Sequence, residues 1–142
     1  MNTTPTKNED LAYGLKSELI NKETLETFFG CGLVKTDTYH AMDYTNKDNT
    51  IFVEMKTRRI NHNQYDTALI GKNKVDFCAS SKAKCYFVYI YKDGMFSIRY
   101  DKALFDSFDC RDYERGQREG GIQPKQAFVF IPYTKLTRLP TT

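Results

Sequence analysis

The stretch DYTNKDNTIFVEMKTRR, residues 43–59, decides how the chain is read. Along residues 51–56, period-2 alternation sends Ile51, Val53 and Met55 to one face of a strand and Phe52, Glu54 and Lys56 to the other. Glu54 and Lys56 therefore share a face. The polar run 45–50 separates this strand from an earlier one ending at Tyr44, so the two form a hairpin. With the turn centred near Lys47 and Asp48, Asp43 falls opposite Phe52 or opposite Glu54, and either register puts it on the Glu54 face. Two carboxylates about 5 Å apart repel, and an apolar strand gains nothing from carrying them unless a cation reverses the balance. A divalent metal does so. Mg²⁺ favours carboxylate oxygens with retained waters, and a metal so held can polarise a phosphoryl oxygen and activate a water. Lys56 would orient that water or neutralise charge growing on the phosphate.

Working outward, Leu11, Leu15 and Leu19 recur at four-residue spacing, and Leu25 and Phe28 continue that side up to Gly30 and Gly32. This predicts an amphipathic helix over 9–29, preceded by a frayed arm over 1–8. Glu18 lies at the edge of the stripe, where it either reaches the same metal or is an ordinary boundary glutamate. Strands are expected over 31–35, 39–44 and 51–56, then a second helix over 63–80 in which Gly71 is an irregularity. The aromatic and β-branched run 85–91, the Asp93-Gly94 turn and the run 95–100 form a second hairpin. A short helix over 101–108, a charged Gly-rich loop over 110–124 and a last strand over 126–133 complete the order. The fold class expected is α/β of the α+β kind, a central mixed sheet flanked by helices, with one domain over 9–142.

Length supports one domain with one core, and 40% hydrophobic, 14% aromatic and 27% charged residues place the chain among folded proteins and exclude a disordered one. No run approaches the roughly 18 to 20 apolar residues that span a bilayer, so a soluble intracellular protein without membrane contact is expected. Cys31, Cys78, Cys85 and Cys110 form no C-x-x-C pair, which predicts reduced and mostly buried thiols. A net charge of +3 with pI near 8.6 identifies no partner by itself. The basic residues do gather mid-chain, at Lys56, Arg58, Arg59, Lys72, Lys74, Lys82 and Lys84.

Glu18, Asp43 and Glu54-x-Lys56 at the end of an apolar strand together resemble the PD-(D/E)xK nuclease superfamily. The resemblance covers residues 9–80 and is closest to the archaeal Holliday-junction resolvase type and to small viral and phage nucleases. It implies a restriction-endonuclease-like core, Mg²⁺ or Mn²⁺ held by Asp43 and Glu54, with Glu18 as a further ligand, and Lys56 assisting the attacking water. Met42 stands where the pattern usually has Pro, and Gln64 lacks the Tyr four residues on that marks the exonuclease branch. An endonuclease is thus expected.

Arg58, Arg59, Lys72 and Lys74 are candidates for backbone-phosphate contact, which solvated surface side chains would match in sequence. His40 and His62 lack metal-ligand spacing and stay outside the catalytic set. The leading reading is a metal-dependent endonuclease on DNA, in the cytoplasm or nucleus, with a virus or phage as one source and a homodimer as one arrangement for cutting two strands. A site that touches phosphate leaves RNA open as a substrate. The alternative is a catalytically silent nucleic-acid-binding or virion-associated protein that keeps the fold.

Overall fold

The hairpin read from residues 43–59 forms, and it lies in the second of the chain's two units, Met1–Leu33 and Val34–Thr142. The structure, a computed structural model, describes residues 7–113 and 126–140.

The first unit is a helix, α1 (Lys7–Phe29), beginning two residues before the expected start. Residues 1–6 of the expected arm lie outside the described residues. Gly30, at φ 69°, ends α1 in the left-handed conformation, its N–H and that of Cys31 both reaching the Glu26 carbonyl at 2.9 and 3.2 Å. The Glu26 carboxylate then accepts the Leu33 N–H at 2.7 Å, tying down the exit. The expected apolar stripe does not hold throughout: Leu25 is buried, but Leu19 and Phe28 are 55% and 45% exposed. The side chains of Leu11 and Leu15 lie outside those described. No helix among the described residues is long and apolar enough to cross a membrane.

The second unit holds a six-stranded mixed sheet in the order β1-β2-β3-β5-β6-β9. Its strands are β1 (Val34–Lys35), β2 (Tyr44–Thr45), β3 (Ile51–Thr57), β5 (Lys84–Tyr91), β6 (Gly94–Arg99) and β9 (Thr137–Arg138). A three-stranded antiparallel sheet in the order β4-β8-β7 accompanies it, built from β4 (Thr67–Gly71), β7 (Asp109–Tyr113) and β8 (Gln126–Pro132). The helices are α2 (Lys72–Ser80), directly after β4, and α3 (Lys102–Asp106). Mixed sheet with few helices is the expected class, and it is consistent with a restriction-endonuclease-like core.

β3 and β5 pair in parallel, so Phe52, Glu54 and Lys56 stand beside Cys85, Phe87 and Tyr89 and share their face. That face is the core. Phe87 and Tyr89 are 1% exposed, and they gather with Ala68 and Ile70 of β4, Cys78 of α2, Phe96 and Ile98 of β6 and Val129 and Ile131 of β8. The Tyr89 hydroxyl donates to the Leu69 carbonyl at 3.0 Å, which satisfies its one buried polar group. The aromatic run of β5 is therefore a core strand, as read.

Three expectations are corrected. The helix predicted over 63–80 exists only from Lys72, because 67–71 pairs with β8 as β4, with Ala68 opposite Ile131 and Ile70 opposite Val129. Gly71, extended at φ −59° and ψ 136°, is the break between strand and helix. The strand predicted over 39–44 shrinks to Tyr44–Thr45, since a turn closes over 37–40 with the His40 N–H on the Asp37 carbonyl at 2.9 Å. The loop predicted from Cys110 begins as strand β7, and residues 114–124 lie outside the described ones. All four cysteines are free, but only Cys78 and Cys85 are buried; Cys110 is exposed.

Candidate active site

The hairpin register is Tyr44 opposite Val53 and Thr45 opposite Phe52, which leaves Asp43 at the end of the paired residues, and its carboxyl is close enough to Glu54 to act on it. Asn46 locks the turn: its Oδ1 accepts the N–H groups of Thr50 and Ile51 at 2.9 and 3.1 Å. Asp43 itself lies just before β2 and steps off the register, its N–H donating to the carbonyl of Val53, the residue opposite Tyr44, at 3.1 Å. Beyond it β3 has no strand on that edge among the described residues, and the Met55 N–H left over is taken by Asp43 Oδ2 at 3.0 Å. That bond aims the Asp43 carboxylate along β3 toward Glu54.

Glu54 is only 3% exposed, with α2 lying over its face. On one side Phe52 meets Phe77 of α2 with ring centroids 5.0 Å apart, and His40 stacks on Phe52 at 5.2 Å. One turn earlier on α2, Lys74 Nζ reaches Glu54 Oε2 at 2.9 Å. Glu54 Oε1, buried, has no hydrogen-bond partner among the described residues. Lys74 also lines a cavity of about 600 Å³, together with Lys56, Lys72, Asp76, Gly71 and the start of β8. Burial pushes the Glu54 carboxyl up to about 7, the neighbouring Asp43 carboxyl adds to the rise, and Lys74 opposes it.

This shift carries a stability consequence. Across the interval from the ordinary 4.5 to about 7 the folded state holds a proton that the unfolded chain releases. Stability therefore falls as pH rises through that window, and the deficit is complete above it. At about 1.4 kcal/mol per pH unit it amounts to on the order of 3 kcal/mol. Glu54→Gln, which imitates the protonated acid, is expected to stabilise the metal-free protein by about that much near pH 8, with most of the gain gone near pH 5. Urea unfolding in EDTA at the two pH values checks it; a variant no more stable than wild type near pH 8 contradicts the assignment.

The remaining sequence candidates are placed as follows. Lys56 is half-buried and faces the cavity; Lys72 is exposed and paired with Asp76 at 2.8 Å. Arg58 and Arg59 follow the end of β3, with the Arg58 N–H on the Ile90 carbonyl at 2.8 Å and Arg59 exposed. Arg58 is close enough to Tyr89 and Tyr91 to oppose the rise that burial imposes on both phenols. Glu18 stands on α1, in the first unit. His62, kept outside the set, is bound to Asp93 at 2.5 Å and stacked on Phe96 at 4.3 Å, a clamp between the loop after β3 and the β5-β6 turn. Sequence reasoning missed the direct bond between Lys74 and Glu54, which depends on α2 packing across β3.

Over residues 9–139 the chain matches the family described as phage putative PDDEXK endonuclease. The chain belongs to that family. No curated protein matches it.

Whether these residues suit a divalent metal is answered by the donor set. Among the described residues no three His, Cys, Asp or Glu side chains gather in one group. Two carboxylates do: Glu54 offers a buried oxygen without a partner, and Asp43, fixed through its other bond, stands beside it. A buried carboxylate oxygen without a donor is costly; below about pH 7 a proton relieves the cost, and above it a bound cation would. Hard oxygen ligands of this number suit Mg²⁺ or Mn²⁺, which keep several waters of their own.

Proposed function

We propose that this protein is a metal-dependent endodeoxyribonuclease that hydrolyses phosphodiester bonds in branched or duplex DNA. The observation that carries the reading is the buried Glu54 carboxylate beside Asp43, with one oxygen that accepts no donor among the described residues and the other bonded to Lys74, a residue that lines a lysine-rich cavity together with Lys56. Asp43 and Glu54 would hold Mg²⁺ or Mn²⁺. When bound, the ion supplies Lewis acidity at the phosphoryl group and a more acidic water.

The chain's own residues do the rest. The Met55 N–H holds Asp43 in one orientation, and Lys74 holds one oxygen of Glu54, so the donor set is pre-aligned before substrate arrives. Lys56, two residues along the strand and on the same face, lines the cavity and would orient the attacking water and offset charge on the phosphate. Arg58, Arg59 and Lys72 flank that end of β3 and contact neighbouring phosphates. No side chain forms a covalent intermediate. Two strands of a junction or duplex need two cuts, which a homodimer would deliver.

The test is a panel of labelled single-stranded, duplex and four-way-junction DNA and an RNA duplex of the same sequence, incubated with Mg²⁺ or Mn²⁺. Internal cuts in DNA, fastest in the junction, are expected. Equal cutting of RNA would overturn the DNA assignment, and equal rates on all DNA forms would overturn structure selectivity.

A further inference from the structure

Lys74 stands in two places at once. Its ammonium is 2.9 Å from Glu54 Oε2, while its side chain, 22% exposed, also lines the cavity shared with Lys56 and Lys72. Of the α2 lysines in that cavity, Lys72 is already engaged by Asp76 one turn on, whereas Lys74 is engaged by a residue that the reading above makes a metal ligand. When Glu54 is ionised, it and Asp43 carry two negative charges, which Lys74 reduces to a net single one. A divalent ion would turn this into a net positive one, and Glu54 could then no longer attract the ammonium as before.

We propose that Lys74 is the built-in counterion of the site: it holds Glu54 until a divalent cation takes up the carboxylates, then turns into the cavity and binds a substrate phosphate. The proposal rests on the metal-dependent reading above. A lysine suits this exchange, because its compact charge on a flexible four-carbon stem can swing between two partners without moving the backbone. Metal binding and phosphate binding become coupled: each ion that enters frees one ammonium for the nucleic acid, and each phosphate that draws Lys74 away vacates Glu54 for the ion. Lys74 acts here as a positioning residue for Glu54 and as a phosphate contact, not as a group at the reacting atoms.

The experiment titrates Mg²⁺ by calorimetry into wild type, Lys74→Met and Lys74→Gln without nucleic acid, near pH 9 so that Glu54 is ionised. It then follows binding of a non-cleavable phosphorothioate duplex against salt with Mg²⁺ present. Removing a competing charge should tighten Mg²⁺ binding roughly tenfold in both variants, and removing a phosphate contact should lower the salt slope by about one. Lys74→Gln keeps a donor on Glu54, so it covers the case in which Lys74→Met does not fold. If wild type binds Mg²⁺ and both variants bind it no more tightly, or the slope is unchanged, the counterion role is overturned and the metal reading stands. If wild type binds no Mg²⁺, both fall.

Discussion

Asp43→Asn should cut DNA at least about a thousandfold more slowly than wild type, because a bound metal supplies several kcal/mol of transition-state stabilisation and each factor of ten corresponds to about 1.4 kcal/mol. The substitution is chosen to spare the fold. The amide oxygen it introduces can still accept the Met55 N–H that Asp43 Oδ2 now takes at 3.0 Å, and the backbone at this position keeps its bond to the Val53 carbonyl. What is lost is the charge beside Glu54. The variant should therefore melt normally in EDTA and gain little on adding Mg²⁺, whereas wild type should be stabilised in proportion to the logarithm of the ion concentration above its dissociation constant. Cutting within threefold of wild type would remove Asp43 from the site.

Lys56→Ala should reduce cutting by about 10² to 10⁴, the range for one positioned proton-transfer or electrostatic group. Its signature differs from that of Asp43→Asn. Lys56 faces the cavity and contributes no anionic ligand, so the variant should keep, or slightly enlarge, the Mg²⁺-dependent rise in melting temperature while losing turnover. A single-turnover rate near wild type would assign Lys56 to solvent. Loss of the Mg²⁺ effect together with activity would mean that Lys56 shapes the carboxylate pair and does not act on substrate. Comparing the two variants separates binding of the ion from use of it, a distinction that activity alone leaves open.

How far the sequence reaches follows from where the deciding interactions lie. Residues 51–56 announce their strand because alternation is a local signal, and the same alternation already puts Glu54 and Lys56 on one face. Spacing narrows the hairpin partner to two registers, and the one that forms is set by Asn46, whose side chain bonds close the turn one residue later than the centre read from Lys47 and Asp48. Residues 67–71 escape a local reading because Ala68, Leu69 and Ile70 are consecutive apolar residues that fit either period. What makes them a strand is pairing with β8, far along the chain, and no local pattern reports it. β9, two residues long, is below the reach of periodicity altogether.

The site divides the same way. Asp43, Glu54 and Lys56 come from one hairpin and can be placed from its spacing alone. Lys74 is visible as a basic residue on the helix after the strand, yet its bond to Glu54 needs α2 to cross β3 so that Phe77 meets Phe52 and Lys74 meets Glu54. Leu19 and Phe28 show the converse: four-residue spacing assigns them a buried role on α1 that their exposure contradicts. Exposure depends on what covers a helix, and spacing carries no information about that.

The most direct test of the central claim is incubation of supercoiled plasmid with the wild-type protein in Mg²⁺, in Mn²⁺ and in EDTA. Nicked and linear plasmid should form with either metal and not in EDTA. Intact plasmid under all three conditions, with salt-sensitive binding to the same DNA retained, would contradict the account and leave a protein that keeps the fold of its family without its chemistry.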